Sequence, residues 1–81
     1  MKIKILFFAT LREYVGAKTI ELEIPVDTTV AGLKELLVSR YPKMLPARNS
    51  ILSAINREYA VDEQVIPLNA EIALFPPVSG G

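Results

Sequence analysis

The sequence predicts an α+β fold in which one main helix lies across one face of a mixed sheet of four to five strands. Three segments, 2–9, 19–24 and 71–75, alternate apolar and polar side chains with the period of a strand. After the second of these, Val30, Leu33, Leu37 and Tyr41 recur at helical spacing. Prolines and a glycine punctuate the segments, so the order reads strand, strand, helix, strand, short strand, strand.

The first strand sets Ile3, Ile5 and Phe7 on one side and Lys2, Lys4, Leu6 and Phe8 on the other, and both sides turn apolar toward its end. "TLREYVGAK" then reverses the chain, with Gly16 free to take a left-handed turn position. In the second strand Ile20, Leu22 and Ile24 face inward while Thr19, Glu21 and Glu23 face water. Pro25 closes it.

The helix has Thr29 or its neighbour Thr28 as N-cap and ends before Pro42, because the residue preceding a proline is pushed out of the α region. Gly32 weakens its first turns by roughly 1 kcal/mol relative to Ala, which close packing of helix on sheet explains. "KMLPARNS" is a loop, and 51–55 is a short buried strand whose pattern fits neither facing. Asn56-Arg57-Glu58 reads as a turn, 59–61 as a brief strand and 62–70 as an irregular crossing. In the last strand Ile72 and Leu74 face inward; Glu71, Ala73 and Phe75 face outward.

Composition narrows the function. The 81 residues form a single small domain, residues 1–75, followed by an extended, flexible tail, residues 76–81. Nine Lys/Arg balance nine Asp/Glu and are scattered, so no basic stripe forms to hold nucleic acid. With neither cysteine nor histidine, the chain lacks a thiol nucleophile, a Cys-rich metal site and the base of a serine triad, and no metal is expected. The apolar run near the start is broken at Arg12-Glu13 and no stretch reaches membrane-span length, so neither export nor a membrane is expected and a cytoplasmic protein is. Glu21/Glu23 and Asp62/Glu63 read as surface charge, and Arg12-Glu13 as a local ion pair or loop anchor.

Two features remain. Leu6, Phe8 and Phe75 point away from the helix, and an outward apolar cluster of this kind marks a docking face for a partner. After Phe75 come six residues, reaching roughly 20 Å when extended. Pro76 and Pro77 favour an extended exit, Val78 and Ser79 follow, and Gly80-Gly81 is slim enough to thread a narrow channel. The chemical group at the tip is the Gly81 carboxylate, which becomes an acyl donor once a partner activates it.

Along nearly its whole length the chain resembles the ubiquitin-like β-grasp proteins, and among them the family of small, sulfur-carrier subunits of molybdopterin synthase. "ILFFATLREYVG", "TVAGLKELL", "AIN" and above all "EIALFPPVSGG" carry the resemblance. It implies that an adenylyltransferase of the ubiquitin-activating type uses ATP to adenylate the Gly81 carboxylate, and that a sulfur donor protein converts it to a thiocarboxylate. It also implies that the tail, with Gly80 as slim neighbour of the carrier residue, enters the large synthase subunit and gives sulfur to cyclic pyranopterin monophosphate. In that family two small subunits flank a dimer of large ones, and the catalytic side chains belong to the partners. The small chain itself binds no cofactor.

By the same resemblance Phe8, Tyr59 and Phe75 fall where the family keeps apolar contacts to its partners; Leu6 is added from strand phase alone. The chain departs from the family in having Leu68-Asn69-Ala70 where a Gly-Asp pair is common and Leu74 where a second aromatic is common. Asn69 can supply the left-handed turn that a glycine would. The alternatives are a sulfur carrier of the same fold for thiamine synthesis or tRNA thiolation, a protein modifier joined to a lysine through Gly81, and an interaction module with an inert tail.

Overall fold

Alternation in the first strand places Ile3, Ile5 and Phe7 in the core, and the rest of the fold is arranged around them. The computed structural model describes residues 1–77. It contains β1 (Lys2–Phe7), α1 (Thr10–Val15), β2 (Thr19–Glu23), α2 (Val30–Arg40), a 3-10 segment (Pro42–Ser50), β3 (Leu52–Ile55), β4 (Glu58–Ala60) and β5 (Glu71–Phe75). The strands form one five-stranded sheet of order β2-β1-β5-β3-β4. The pair β1 and β5 is parallel and the others are antiparallel, so the sheet is mixed as expected.

Helix α2 supplies Val30, Leu33 and Leu37 to the core, where they cluster with Ile3, Ile5, Phe7, Ile55, Ile72 and Leu74 of the sheet. Each such side chain contributes about 1.5–3 kcal/mol on burial, which outweighs the weak intrinsic helix preference of an 11-residue segment. Thr29 is the N-cap: its backbone is extended and its Oγ1 accepts a hydrogen bond from the Gly32 N–H at 3.1 Å. The N–H groups of Val30 and Ala31 donate to the carbonyls of Gln64 and Asp62, both at 2.9 Å. The crossing after β4 is therefore anchored to the start of the helix. A Cβ on Gly32 would lie 3.3 Å from Thr28 Cγ2 and 3.5 Å from Thr29 Oγ1. The glycine thus relieves crowding against the Thr28 methyl beside the cap, which corrects the expectation that it serves close packing on the sheet.

Two segments that the sequence predicts as irregular are helical. "TLREYV" is the short helix α1, closed by Gly16 at φ +82°, the left-handed position foreseen for it. Residues 42–50 form the 3-10 segment, held against α1 and α2, with Met44 in the core. The β3–β4 hairpin turns on Asn56 and Arg57 at φ +49° and +73°, a type I′ geometry, so Glu58 belongs to β4 and Val61 does not. Asn69, at φ +59°, takes the left-handed turn position before β5 as expected.

Asp62 is more than loop charge. Lys34, 5% exposed, donates from Nζ to Asp62 Oδ1 at 2.7 Å and to the Ile51 carbonyl at 2.8 Å. Arg48 reaches Asp62 Oδ2 at 3.6 Å and also pairs with Glu35. The hydrogen bond from Lys34, with the two cations beside it, holds the Asp62 carboxyl below its ordinary value of 3.8. Val30 precedes Lys34 by four residues on the same helix face, so the lysine was in the buried stripe all along.

A carboxylate with a lowered folded-state pKa stabilises fully above its unfolded pKa and loses that contribution as pH falls through the folded value. Thermal unfolding of Asp62→Asn against the natural chain should therefore show a gap that is flat near pH 7 and closes below about pH 4. Ser53 Oγ is buried without a hydrogen-bond partner among the described residues. Ser53→Ala removes that unsatisfied hydroxyl and should raise stability by about 1 kcal/mol, read as a melting-temperature increase of about 4–8 °C.

Candidate functional site

The helix covers one face of the sheet; register determines what the other face shows. Leu6 lies opposite Ala73 on β5 and Thr19 on β2, Phe75 opposite Leu52 on β3, and Ala54 between Ala73 and Tyr59. Paired residues share a face, so Leu6, Leu52, Ala54, Tyr59, Ala73 and Phe75 form one apolar field, which Phe8 extends just past the end of β1. On the same face the other half is charged and self-complementary: Lys2 sits opposite Glu23, and Lys4 between Glu21 and Glu71. An open groove lined by Lys4, Thr19, Ile20 and Glu21 lies in that charged half, away from the aromatics.

Phe75 is the centre of the apolar half. Its ring meets Phe8 edge-on with centroids 6.3 Å apart and Tyr59 at 5.8 Å, two T-shaped contacts of the kind worth about 0.5–1.5 kcal/mol each. The outer members of the trio stay open to water, Phe8 39% and Tyr59 77% exposed. Leu6 and Phe75 are half-buried, Leu52 is exposed, and Ala54 is buried beneath its neighbours. Large apolar groups left uncovered in one field have the composition of a protein interface core.

Phe8 is held outward by a tight turn. The Leu11 N–H donates to the Phe8 carbonyl at 3.1 Å, and Ala9 occupies the first central position at φ +52°, ψ −130°, a type II′ geometry that favours glycine. An alanine there carries strain of the order of 1–3 kcal/mol. The neighbours that hold it are visible: the Phe8 N–H donates to the Leu74 carbonyl at 3.1 Å, and Arg12 Nε donates to the Phe7 carbonyl at 2.7 Å. The Arg12 guanidinium also lies over the Phe8 ring, 5.5 Å from its centroid. Arg12 is thus a loop anchor, the second of the two roles expected for it.

The structure brings Phe8, Tyr59 and Phe75 together, with Leu6 beside them. Pro76, half-buried, and Pro77, exposed, continue from Phe75. Val78, Ser79, Gly80 and Gly81 lie outside the described residues. Leu52, Ala54, Ala73 and Arg12 were not singled out for this face by the sequence. Ala73 was placed outward by the alternation of its own strand but not counted in the cluster; the signal for Leu52 and Ala54 is cross-strand pairing, which a single strand's pattern does not contain.

Comparison with known proteins agrees with this architecture. The chain is 39% identical over 83 residues to the molybdopterin synthase sulfur carrier subunit of Dictyostelium discoideum, covering 99% of this chain and 96% of that protein. It is 33% identical over 81 residues to the protein of the same name from Arabidopsis thaliana, covering 100% and 84%. Among solved structures, SAMP1 from Haloferax volcanii, a small archaeal modifier protein, superposes with a TM-score of 0.83 at 30% identity, covering 100% of both chains. The fold is the ubiquitin-like β-grasp. The ThiS family profile matches residues 5–81, and the chain belongs to the ThiS family.

Proposed function

We propose that this chain is a sulfur carrier in molybdenum cofactor biosynthesis, the non-catalytic small subunit of a molybdopterin synthase. The observation that carries the reading is the aromatic trio Phe8, Phe75 and Tyr59 at the root of the segment that runs through Pro76 and Pro77 to Gly80-Gly81. Full-length similarity to two sulfur carrier subunits supports it. In this reading the apolar face docks on the large subunit, and residues 76–81 form an extended arm that delivers the acyl group to it.

The chemistry follows from the carboxylate. Ionised at neutral pH, it resists nucleophiles, so one oxygen is first joined to the α-phosphorus of ATP, with pyrophosphate leaving. The activating partner is an adenylyltransferase of the ubiquitin-activating type, and ATP is its substrate; this chain holds no cofactor. Sulfur at the sulfide level, brought by a donor protein, attacks the acyl carbon and AMP departs, leaving a thiocarboxylate on Gly81. The thiocarboxylate then gives its sulfur to cyclic pyranopterin monophosphate in the large subunit, and two small subunits flank a dimer of large ones. All of this takes place in the cytoplasm. Among the described residues no helix is long and apolar enough to cross a membrane.

The likeness to SAMP1 favours a second reading, in which Gly81 is joined to a lysine of a target protein. The product at Gly81 separates the two. Intact-mass measurement of the chain purified from its own host should show a species heavier by one oxygen-to-sulfur exchange, about 16 Da, whereas adducts holding a second protein would support the modifier. A variant lacking Gly81 should fail to restore molybdopterin synthesis in cells without the native subunit. Phe75→Asp should keep the far-UV circular dichroism of the fold while weakening association with the large subunit by about 30-fold or more, as expected for a central interface aromatic; unfolding would show instead that Phe75 is a core residue.

A further inference from the structure

The docking face described above depends on a ring whose backbone lies outside any strand. Phe8 follows the last residue of β1 and precedes Ala9, whose backbone is strained. Left to rotamer preference, an exposed phenylalanine at a turn would sample several positions, and a partner would have to select one of them. Three contacts remove that freedom here. The ring meets Phe75 edge-on, the Arg12 guanidinium lies on it at 5.5 Å, and Arg12 Nε is fixed by the Phe7 carbonyl at 2.7 Å. Arg12 is itself held at both ends of its peptide: its N–H donates to the Ala9 carbonyl at 3.0 Å, and its carbonyl accepts from the Gly16 N–H at 2.7 Å.

We propose that Arg12 is a positioning residue for the docking face, setting the Phe8 ring against Phe75 before the partner arrives; the inference rests on the docking role proposed above. Arginine suits the task because its planar cation can cover a ring while Nε donates sideways to a carbonyl, which a lysine ammonium does not do in one pose. Short α1 is the device that presents it. One turn after the strand ends, Arg12 comes back over the residue that leaves the strand. The strain at Ala9 is held in the same closed loop of contacts, so loss of Arg12 frees the turn as well as the ring.

The test uses the full chain with Arg12→Met, which keeps an apolar stem and removes both the charge and the donor. In the free protein the nuclear Overhauser contact between the Phe8 and Phe75 rings should weaken sharply while the amide spectrum of the sheet stays unchanged. Binding to the large subunit of the same organism should weaken about tenfold, the order expected for one charge-assisted hydrogen bond and one exposed cation–π contact. The deciding measurement is the double-mutant cycle: in a Phe8→Ala background, Arg12→Met should change affinity less than twofold. An equal loss in both backgrounds would show that Arg12 touches the partner directly and would overturn the proposal, as would an unchanged ring contact in the free chain. If the natural chain does not bind the large subunit at all, the docking reading fails, and the ring contact still decides whether Arg12 sets Phe8.

Discussion

The parallel pairing of β1 with β5 is the constraint on which the rest of the structure depends. Two strands about seventy residues apart in sequence run side by side in the same direction, Lys4 opposite Glu71 through to Phe7 opposite Leu74. Because they are parallel, their C-terminal ends coincide. The ladder is prolonged by the Phe8 N–H on the Leu74 carbonyl, which brings Phe8 and Phe75 to one edge of the sheet. An antiparallel arrangement of the same strands would put these rings at opposite ends. A parallel pair also needs a crossover, and α2 supplies it while covering the inner face. The helix is thus a consequence of the pairing as much as a source of its stability.

From that pairing follows a sheet whose two faces have different tasks. The inner face is a single apolar cluster under α2. The outer face is divided across the strands: charged residues with opposite signs facing each other toward β2, apolar residues toward β3 and β4. Opposed charges largely cancel at a distance, so in the docking proposed above this face would give little long-range steering and a well-defined apolar contact instead. If the proposed docking holds, specificity would rest on the shape of the aromatic trio, where the placement of each ring counts beside its hydrophobicity.

Much of this was legible in the sequence because strand period and helix period leave local traces. The inward set Ile3, Ile5 and Phe7, the cap at Thr29, the bounds of β5 and the left-handed positions of Gly16 and Asn69 each follow from a few adjacent residues. What was missed is non-local. Ser53, Ala54 and Ile55 are all buried, because an alanine of the outer face is covered by larger neighbours on adjoining strands, and no alternation results. Lys34 is buried because Asp62, 28 residues later, comes to meet it. Helix α1 is six residues long and held in place by tertiary contacts, and its propensity is too weak a signal to stand out from a turn. On the outer face, strand phase pointed to Phe8 and Phe75 and family resemblance added Tyr59, and the three rings do meet, whereas Arg12 needed the turn that folds it back over Phe8.

The proposed chemistry asks unusually little of this chain's side chains, and the fold explains why that suffices. A carrier must place one acyl group at a fixed distance from a docking surface. The reach from Phe75 to Gly81 is six residues, roughly 20 Å when extended, and two prolines near φ −65° restrict the directions available to the first third of it. In the proposed function, docking at Phe75 would turn delivery into an intramolecular event, with the acyl group presented at an effective concentration set by arm length and stiffness. On that proposal the shares are separable: β1 and β5 fix the root, the aromatic trio would meet the partner, and the number of residues after Phe75 would limit the reach. Because the reacting carbon belongs to the main chain, the sulfur can be exchanged there without any side chain of the folded domain being altered.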